Sequence, residues 1–219
     1  MTRVKVCGIT NFDDAQRAVD LGAWAIGLIF HEPSPRACAL PDAEDIGGRL
    51  KRAPVEVTGV FVNRPLDEVA AIADACSLSL LQLHGDEGPA YCDEAARRTG
   101  CKVMKAVQVR DKSSLTSLRP YHVDYWMLDA HHPELRGGTG TTFDWSLTGK
   151  RHRVPIVLSG GLTPENVGEG IAATRPFAVD SASGTEAEPG RKDPAKLEAF
   201  FRAVAQADEQ ANSAMAGWA

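Results

Sequence analysis

The chain has 219 residues, 43% hydrophobic and 24% charged, which excludes a disordered, collagenous or coiled-coil protein. Its net charge is −5, and no stretch is rich enough in Lys and Arg to mark a nucleic-acid groove or an anionic membrane surface. At this length the chain is one large domain or two small ones, able to bury a core without a disulfide or metal staple.

No apolar run approaches the roughly 18–20 residues of a transmembrane helix. Lys5 interrupts the N-terminal MTRVKVCGIT, so the start of the chain lacks the apolar core of a secretory signal. The cysteines are Cys7, Cys38, Cys76, Cys92 and Cys101. Their odd number and the lack of a CxxC pair argue against a disulfide framework or a zinc knuckle. We expect a cytoplasmic chain with reduced thiols.

Read in chain order, short apolar runs alternate with helical patterns. A strand at 3–7 (RVKVC) precedes a helix at 10–21, capped by Thr10 or Asn11 and stopped by Gly22. Strands follow at 24–30 and 56–62. A helix at 65–75 then opens with Pro65 where a first helical residue belongs. The strand at 79–83 leads to a helix at 89–99, bounded by Pro89 and Gly100. The strand at 102–109 is followed by only a weak helix near 113–118. Strands at 124–129 and 154–158 come next, then a helix at 163–172 behind Thr163 and Pro164. A strand at 177–181 and a helix at 194–206 complete the pattern. The tail 207–219 has little periodicity and is expected to be frayed or disordered.

Eight such units in about 200 residues predict a single α/β domain over 1–206, a minimal (β/α)8 barrel. A doubly wound open sheet is the alternative, but no GxGxxG follows the first strand. The connections are lopsided. Helix-to-strand links are short and bland, whereas strand-to-helix links carry CGIT, HEPSPR, HGDEG, SGGLTP and SASGTEAEPGRKD. Such loops gather at the C-terminal mouth of a barrel, so this asymmetry points to an enzyme.

Side chains alternate along a strand. If Cys7 points into the mouth, Lys5 lies below it and can lower its pKa; the bland reading is a buried structural thiol. Barrel closure beside the last strand then brings Asp180 to Lys5, and a charge inside a barrel wants such a partner. Asp129 ends an apolar strand at the mouth, where a partly buried carboxyl suits a general acid, unless it merely ties a loop. Gly160 and Gly161 after strand seven, with Ser183 and Gly184 after strand eight, fit a phosphate site made by backbone amides; two tight turns would look the same. Arg36 can fork onto a carboxylate or lie solvated. His84, with Gln82 on the same face, is a candidate site or core histidine. His131 and His132 have no metal spacing, and Gly137–Gly140 reads as a lid or turn.

Taken together, VKVCGIT, GLIF with SPR, GVFVN, LLQLHG, MLDA with GGTG and FDW, LSGGLTPENV, and VDSASGTE with PGRKD resemble the phosphoribosylanthranilate isomerase family over about residues 3–203. The resemblance implies a (β/α)8 barrel of tryptophan biosynthesis that performs an Amadori rearrangement of a phosphorylated small molecule. It implies Cys7 as general base, Asp129 as general acid and Arg36 on the anthranilate carboxylate. It further implies Gly160, Gly161, Ser183 and Gly184 on the phosphate, with His84 lining the site. It needs no metal or organic cofactor, no nucleic acid and no membrane, and we expect a monomer. A related aminoaldose-phosphate isomerase, of histidine biosynthesis or with dual substrates, is the second reading. A non-catalytic phosphate-binding barrel is the third.

Overall fold

The computed structural model describes residues 1–109, 114, 116–129 and 153–216. Eight parallel strands close into a barrel in chain order: β1 (Arg3–Cys7), β2 (Ala25–Ile29), β3 (Glu56–Phe61), β4 (Leu80–Leu83), β5 (Lys102–Gln108), β6 (Tyr125–Asp129), β7 (Ile156–Ser159) and β8 (Ala178–Ser181). Closure pairs β8 with β1, placing Lys5 opposite Asp180.

Around the barrel lie α1 (Phe12–Asp20), α2 (Leu40–Leu50), α3 (Leu66–Ala75), α4 (Pro89–Thr99), α5 (Val167–Thr174) and α6 (Pro194–Ala216). The Asn11 side chain caps α1 by accepting from the Asp14 amide at 2.9 Å. Gly100 ends α4 in the left-handed region, φ 69°. A short 3-10 turn (Ser183–Thr185) follows β8. It leads into a hairpin of β9 (Glu186–Glu188) and β10 (Arg191–Lys192).

The wall faces two ways. Val4, Val6, Ile26, Leu28, Leu81, Leu83 and Val179 pack outward in one core cluster with helix residues such as Ala15, Ala18 and Phe200. A second cluster, Leu80, Met104, Ala106, Tyr125, Met127, Val157 and Ala178, fills the lower barrel interior. Trp24, Tyr125 and Phe177 close its lower end, with ring centroids 5.1–5.2 Å apart. Alternation then fixes the upper layers: Lys5 and Cys7, Gln82 and His84, Asp129, Ser159 and Asp180 point inward.

Two expectations change, and residues 40–50, to which the sequence reading gave no element, form α2. The helix expected at 163–172 begins only at Val167, because Thr163–Asn166 make a turn closed by the Asn166 side chain on the Thr163 amide, 2.8 Å. The helix expected to stop at 206 continues through Ala216, so residues 207–216, expected as frayed tail, are helical. Asp208 on this extension accepts from the Thr2 amide and hydroxyl at 2.5 and 2.8 Å. Residues 113 and 115 of the weak helix expected near 113–118, and all of His131, His132 and Gly137–Gly140, lie outside the described residues.

Candidate active site at the barrel mouth

Cys7 ends β1 and is buried. Below it Lys5 donates to Asp180 Oδ1 at 2.9 Å, and Ser159 donates to Asp180 Oδ2 at 3.0 Å. This polar layer spans β1, β8 and β7. Gly27 on β2 makes room for it: a Cβ there would fall 2.7 Å from Cys7 Sγ and 3.0 Å from Lys5 Nζ.

Burial opposes the charge on Lys5, but Asp180 and Cys7 override it and hold its pKa above the ordinary value. The Cys7 thiol is pushed up, first by burial and also by Asp180, against the pull of Lys5 and Lys192. The expected depression of the thiol by Lys5 is therefore outweighed. Desolvation of a fully enclosed thiolate exceeds what a cation already paired with Asp180 returns.

Across the barrel Asp129 ends β6, opposite Gln108 on β5 and Ser159 on β7. His84 Nε2 lies 3.5 Å from Asp129 Oδ2. The Gln82 amide donates to His84 Nδ1 at 3.1 Å. With Nδ1 accepting, the proton of the neutral ring sits on Nε2, facing Asp129. A cleft of about 740 Å³ opens beside His84 and reaches Asn63, Lys105, Gln108 and Tyr121.

The two loops expected to hold phosphate meet. Gly160 and Gly161 follow β7 with φ of 101° and 66°, and Asn166 Nδ2 donates to Gly161 O at 3.0 Å. Ser181 Oγ, at the end of β8, donates to Leu162 O at 2.8 Å. Gly184 lies so close that a Cβ would sit 2.0 Å from Leu162 O. The Thr185 hydroxyl donates to Ala182 O at 2.9 Å and steadies the turn.

Arg36 reaches the mouth from the loop after β2, its stem lying over Gly8. It is engaged by a residue to which sequence reasoning assigned no role. Arg36 Nε lies 2.9 Å from both carboxylate oxygens of Glu186, and Nη2 lies 2.8 Å from Oε2. Burial would push the Glu186 carboxyl up, but Arg36 and Lys192 hold it below its ordinary range. Lys192 Nζ donates to Cys7 O at 2.7 Å, Ala182 O at 3.0 Å and Glu186 Oε1 at 3.3 Å.

Lys105 and Glu87 were missed as well. Lys105 Nζ donates to Glu87, Leu83 O and Gly85 O, while Glu87 accepts from the Asn63 and Gly85 amides. This buried pair clamps the turn that follows His84. The available signal was a lysine inside an apolar strand pattern (MKAV) and another in PGRKD. Among the described residues, no three His, Cys, Asp or Glu side chains converge as a metal site would need.

The sequence profile described as N-(5'phosphoribosyl)anthranilate (PRA) isomerase matches residues 4–203. The chain belongs to this family. Its activity is the isomerisation of N-(5'-phosphoribosyl)anthranilate, in tryptophan biosynthesis. An N-(5'-phosphoribosyl)anthranilate isomerase of Geobacter metallireducens is 45% identical over 203 residues, covering 92% of this chain and 98% of the relative. The crystal structure of phosphoribosyl anthranilate isomerase from Thermotoga maritima superposes with a TM-score of 0.84 at 41% identity, over 94% of this chain and 100% of that one. A further isomerase structure has a TM-score of 0.80 at 37% identity, over 94% of this chain and 100% of that one. It is a complex with reduced 1-(o-carboxyphenylamino)-1-deoxyribulose 5-phosphate.

Proposed function

We propose that the barrel mouth performs the isomerisation as an Amadori rearrangement, with Asp129 as general acid and Cys7 as general base. The observation that carries the reading is the placement of these two side chains. They end non-adjacent strands, β1 and β6, and both point inward at the C-terminal mouth. A sugar between them meets an acid on one side and a base on the other.

The protonated Asp129 carboxyl gives its proton to the furanose ring oxygen. The C1′–O bond breaks, and the anthranilate nitrogen supplies the electron pair of the resulting iminium. That positive charge acidifies the C2′ hydrogen, which the Cys7 thiolate removes. The C–H pair becomes the C1′=C2′ bond of a neutral enolamine. Proton transfer from the 2′-hydroxyl to C1′ gives the ketone, 1-(2-carboxyphenylamino)-1-deoxyribulose 5-phosphate. The substrate nitrogen is the electron sink, so the step needs no cofactor.

Arg36 takes the anthranilate carboxylate, and the loops at Gly160–Gly161 and Ser183–Gly184 take the phosphate. The convergence of those loops at Leu162 supports this assignment, since amides from two loops can then surround one anion. His84 lines the site beside Asp129. Its Nε2–H faces the carboxylate that remains after the ring opens. Buried free thiols suit a reducing compartment, and we place the enzyme in the cytoplasm.

Turnover of freshly generated substrate by Cys7→Ser and Asp129→Asn tests the reading. Each substitution should reduce kcat by at least about a hundredfold, within the usual range for removing an acid or base. Near-normal turnover in either variant would remove that residue from the mechanism.

A further inference from the structure

The Arg36–Glu186–Lys192 cluster, with Glu186 and Lys192 buried and Arg36 partly exposed, does more than hold the loop after β8 together. Lys192 Nζ has three acceptors, Cys7 O, Ala182 O and Glu186 Oε1. Three acceptors call for three N–H donors, which only the ammonium form supplies. The cluster therefore holds two cations and one anion, a net charge of +1. A single incoming carboxylate brings it to neutrality.

The geometry of the fork is equally specific. Glu186 occupies the Nε and Nη2 donors of Arg36, leaving the Nη1–Nη2 edge without a partner among the described residues. That edge carries the second pair of parallel N–H donors of a guanidinium, the pair that receives a carboxylate bidentately. The stem is held too. Gly8 has no side chain, and a Cβ there would fall 2.9 Å from Arg36 Cδ and 3.3 Å from Glu186 Oε1.

Glu186 is itself well anchored. Its residue pairs with Lys192 in the β9–β10 register. The hairpin is stitched to the first strand-to-helix loop by Thr10 Oγ1 donating to Gly190 O at 2.5 Å, and to the first turn of α1 by the Lys192 amide donating to Asp14 Oδ2 at 2.9 Å.

We infer that Glu186 is a positioning residue that orients Arg36 for the carboxylate of the substrate. Resting on the assignment of Arg36 to that carboxylate, the inference explains why a buried acid sits beside a site that must attract an anion. Without Glu186 the arginine keeps its charge but loses its fixed direction. A rotamer-rich side chain must then be ordered by the ligand, at the expense of affinity.

The test uses two competitive inhibitors: reduced 1-(o-carboxyphenylamino)-1-deoxyribulose 5-phosphate, and the same compound with aniline in place of anthranilate. Glu186→Gln should weaken the carboxylate inhibitor about tenfold and leave the aniline inhibitor within about twofold, since one tenfold step is about one lost charge-assisted contact. Arg36→Met should show the same selectivity, more strongly. The double variant should bind no worse than Arg36→Met alone, because Glu186 acts through Arg36. Should Glu186→Gln fail to fold, Glu186→Asp keeps the charge, withdraws it by one methylene, and should show the same selective loss. Equal weakening of both inhibitors, or additive losses in the double variant, would overturn the inference. If Arg36→Met loses selectivity and the Glu186 variants do not, only the role of Glu186 falls. If Arg36→Met itself spares the carboxylate inhibitor's advantage, the Arg36 assignment falls and takes the inference with it.

Discussion

Lys5 Nζ lies 2.9 Å from Asp180 Oδ1 inside the barrel, with side-chain exposures of 0% and 6%. The pair joins the first strand to the last, directly below Cys7. It follows from inward alternation and barrel closure, as expected from the sequence. Its consequence for Cys7 is the reverse of a simple expectation, because a cation shared with Asp180 pulls less on the thiol than burial pushes.

Lys5 still lowers the Cys7 thiol, so Lys5→Met should raise it further. With Cys7 as the proposed base, the acid limb of kcat/KM, which would report formation of the thiolate in the free enzyme, should move to higher pH. At any pH below that limb, activity should fall about tenfold for every pH unit that the limb moves. Leaving Asp180 buried without its cation should also cost about 3–5 kcal/mol of stability. A pH–rate profile with an unmoved acid limb would show that Lys5 does not act on the base.

Arg36→Met should act mainly on binding. A carboxylate contact remote from the reacting bonds is shared by ground and transition states, so KM should rise while kcat falls far less. Losing a hydrogen-bonded charge pair costs about 1.5–3 kcal/mol, or roughly ten- to hundredfold in KM. Steady-state kinetics with an unchanged KM and a collapsed kcat would assign Arg36 another task.

Gly184→Ala should push apart the two loops proposed to hold phosphate. The added methyl would fall 2.0 Å from Leu162 O and 2.9 Å from Ser181 Oγ. Backbone has to move, and such overpacking costs about 1–3 kcal/mol. We expect a lower Tm and a several-fold weaker competitive inhibition by ribulose 5-phosphate. Unchanged inhibition would place the phosphate elsewhere.

Stability should fall steeply in alkali. All five cysteines are buried with raised pKa values: burial is the main cause, carrying Cys38 to about 12 and Cys76 and Cys92 to about 11. Above the unfolded thiol value of about 8.5 the unfolded chain loses protons that the folded chain retains. The stabilisation is thus complete below about pH 8.5 and is lost as pH rises toward the folded values, by about 1.4 kcal/mol per thiol per pH unit. Urea unfolding between pH 8 and 10 should show this slope. Cys92→Ala, lowering overall stability, should also flatten it by one proton. A slope identical to that of the unsubstituted protein would contradict the argument.

The eight strands were legible because buried parallel strands are short apolar runs, and their order around the barrel follows the chain. Helix α2 was not legible. Pro41, Gly47 and Gly48 weaken its helical pattern, yet Gly47 is the point where the helix approaches its neighbour so closely that a Cβ would lie 1.8 Å from Cys76 O. The continuation of α6 past 206 was hidden for a related reason: part of its anchorage comes from Thr2, at the other end of the chain.

The sequence by itself determined the barrel, the inward face of β1 and β4 and the family, since local periodicity and strand-end motifs suffice for these. Cys7, Asp129, His84 and both glycine loops were candidates on that ground alone. Tertiary structure decided how those groups are tuned. Glu186 stands 150 positions from Arg36, and Lys192 stands 185 from Cys7, so no local pattern could pair them. Whether the thiol goes up or down was likewise a matter of three-dimensional burial. The desolvation of Cys7 depends on how completely the barrel encloses it, and its offset depends on how Lys5 and Lys192 divide their charge among Asp180, Glu186 and the thiol.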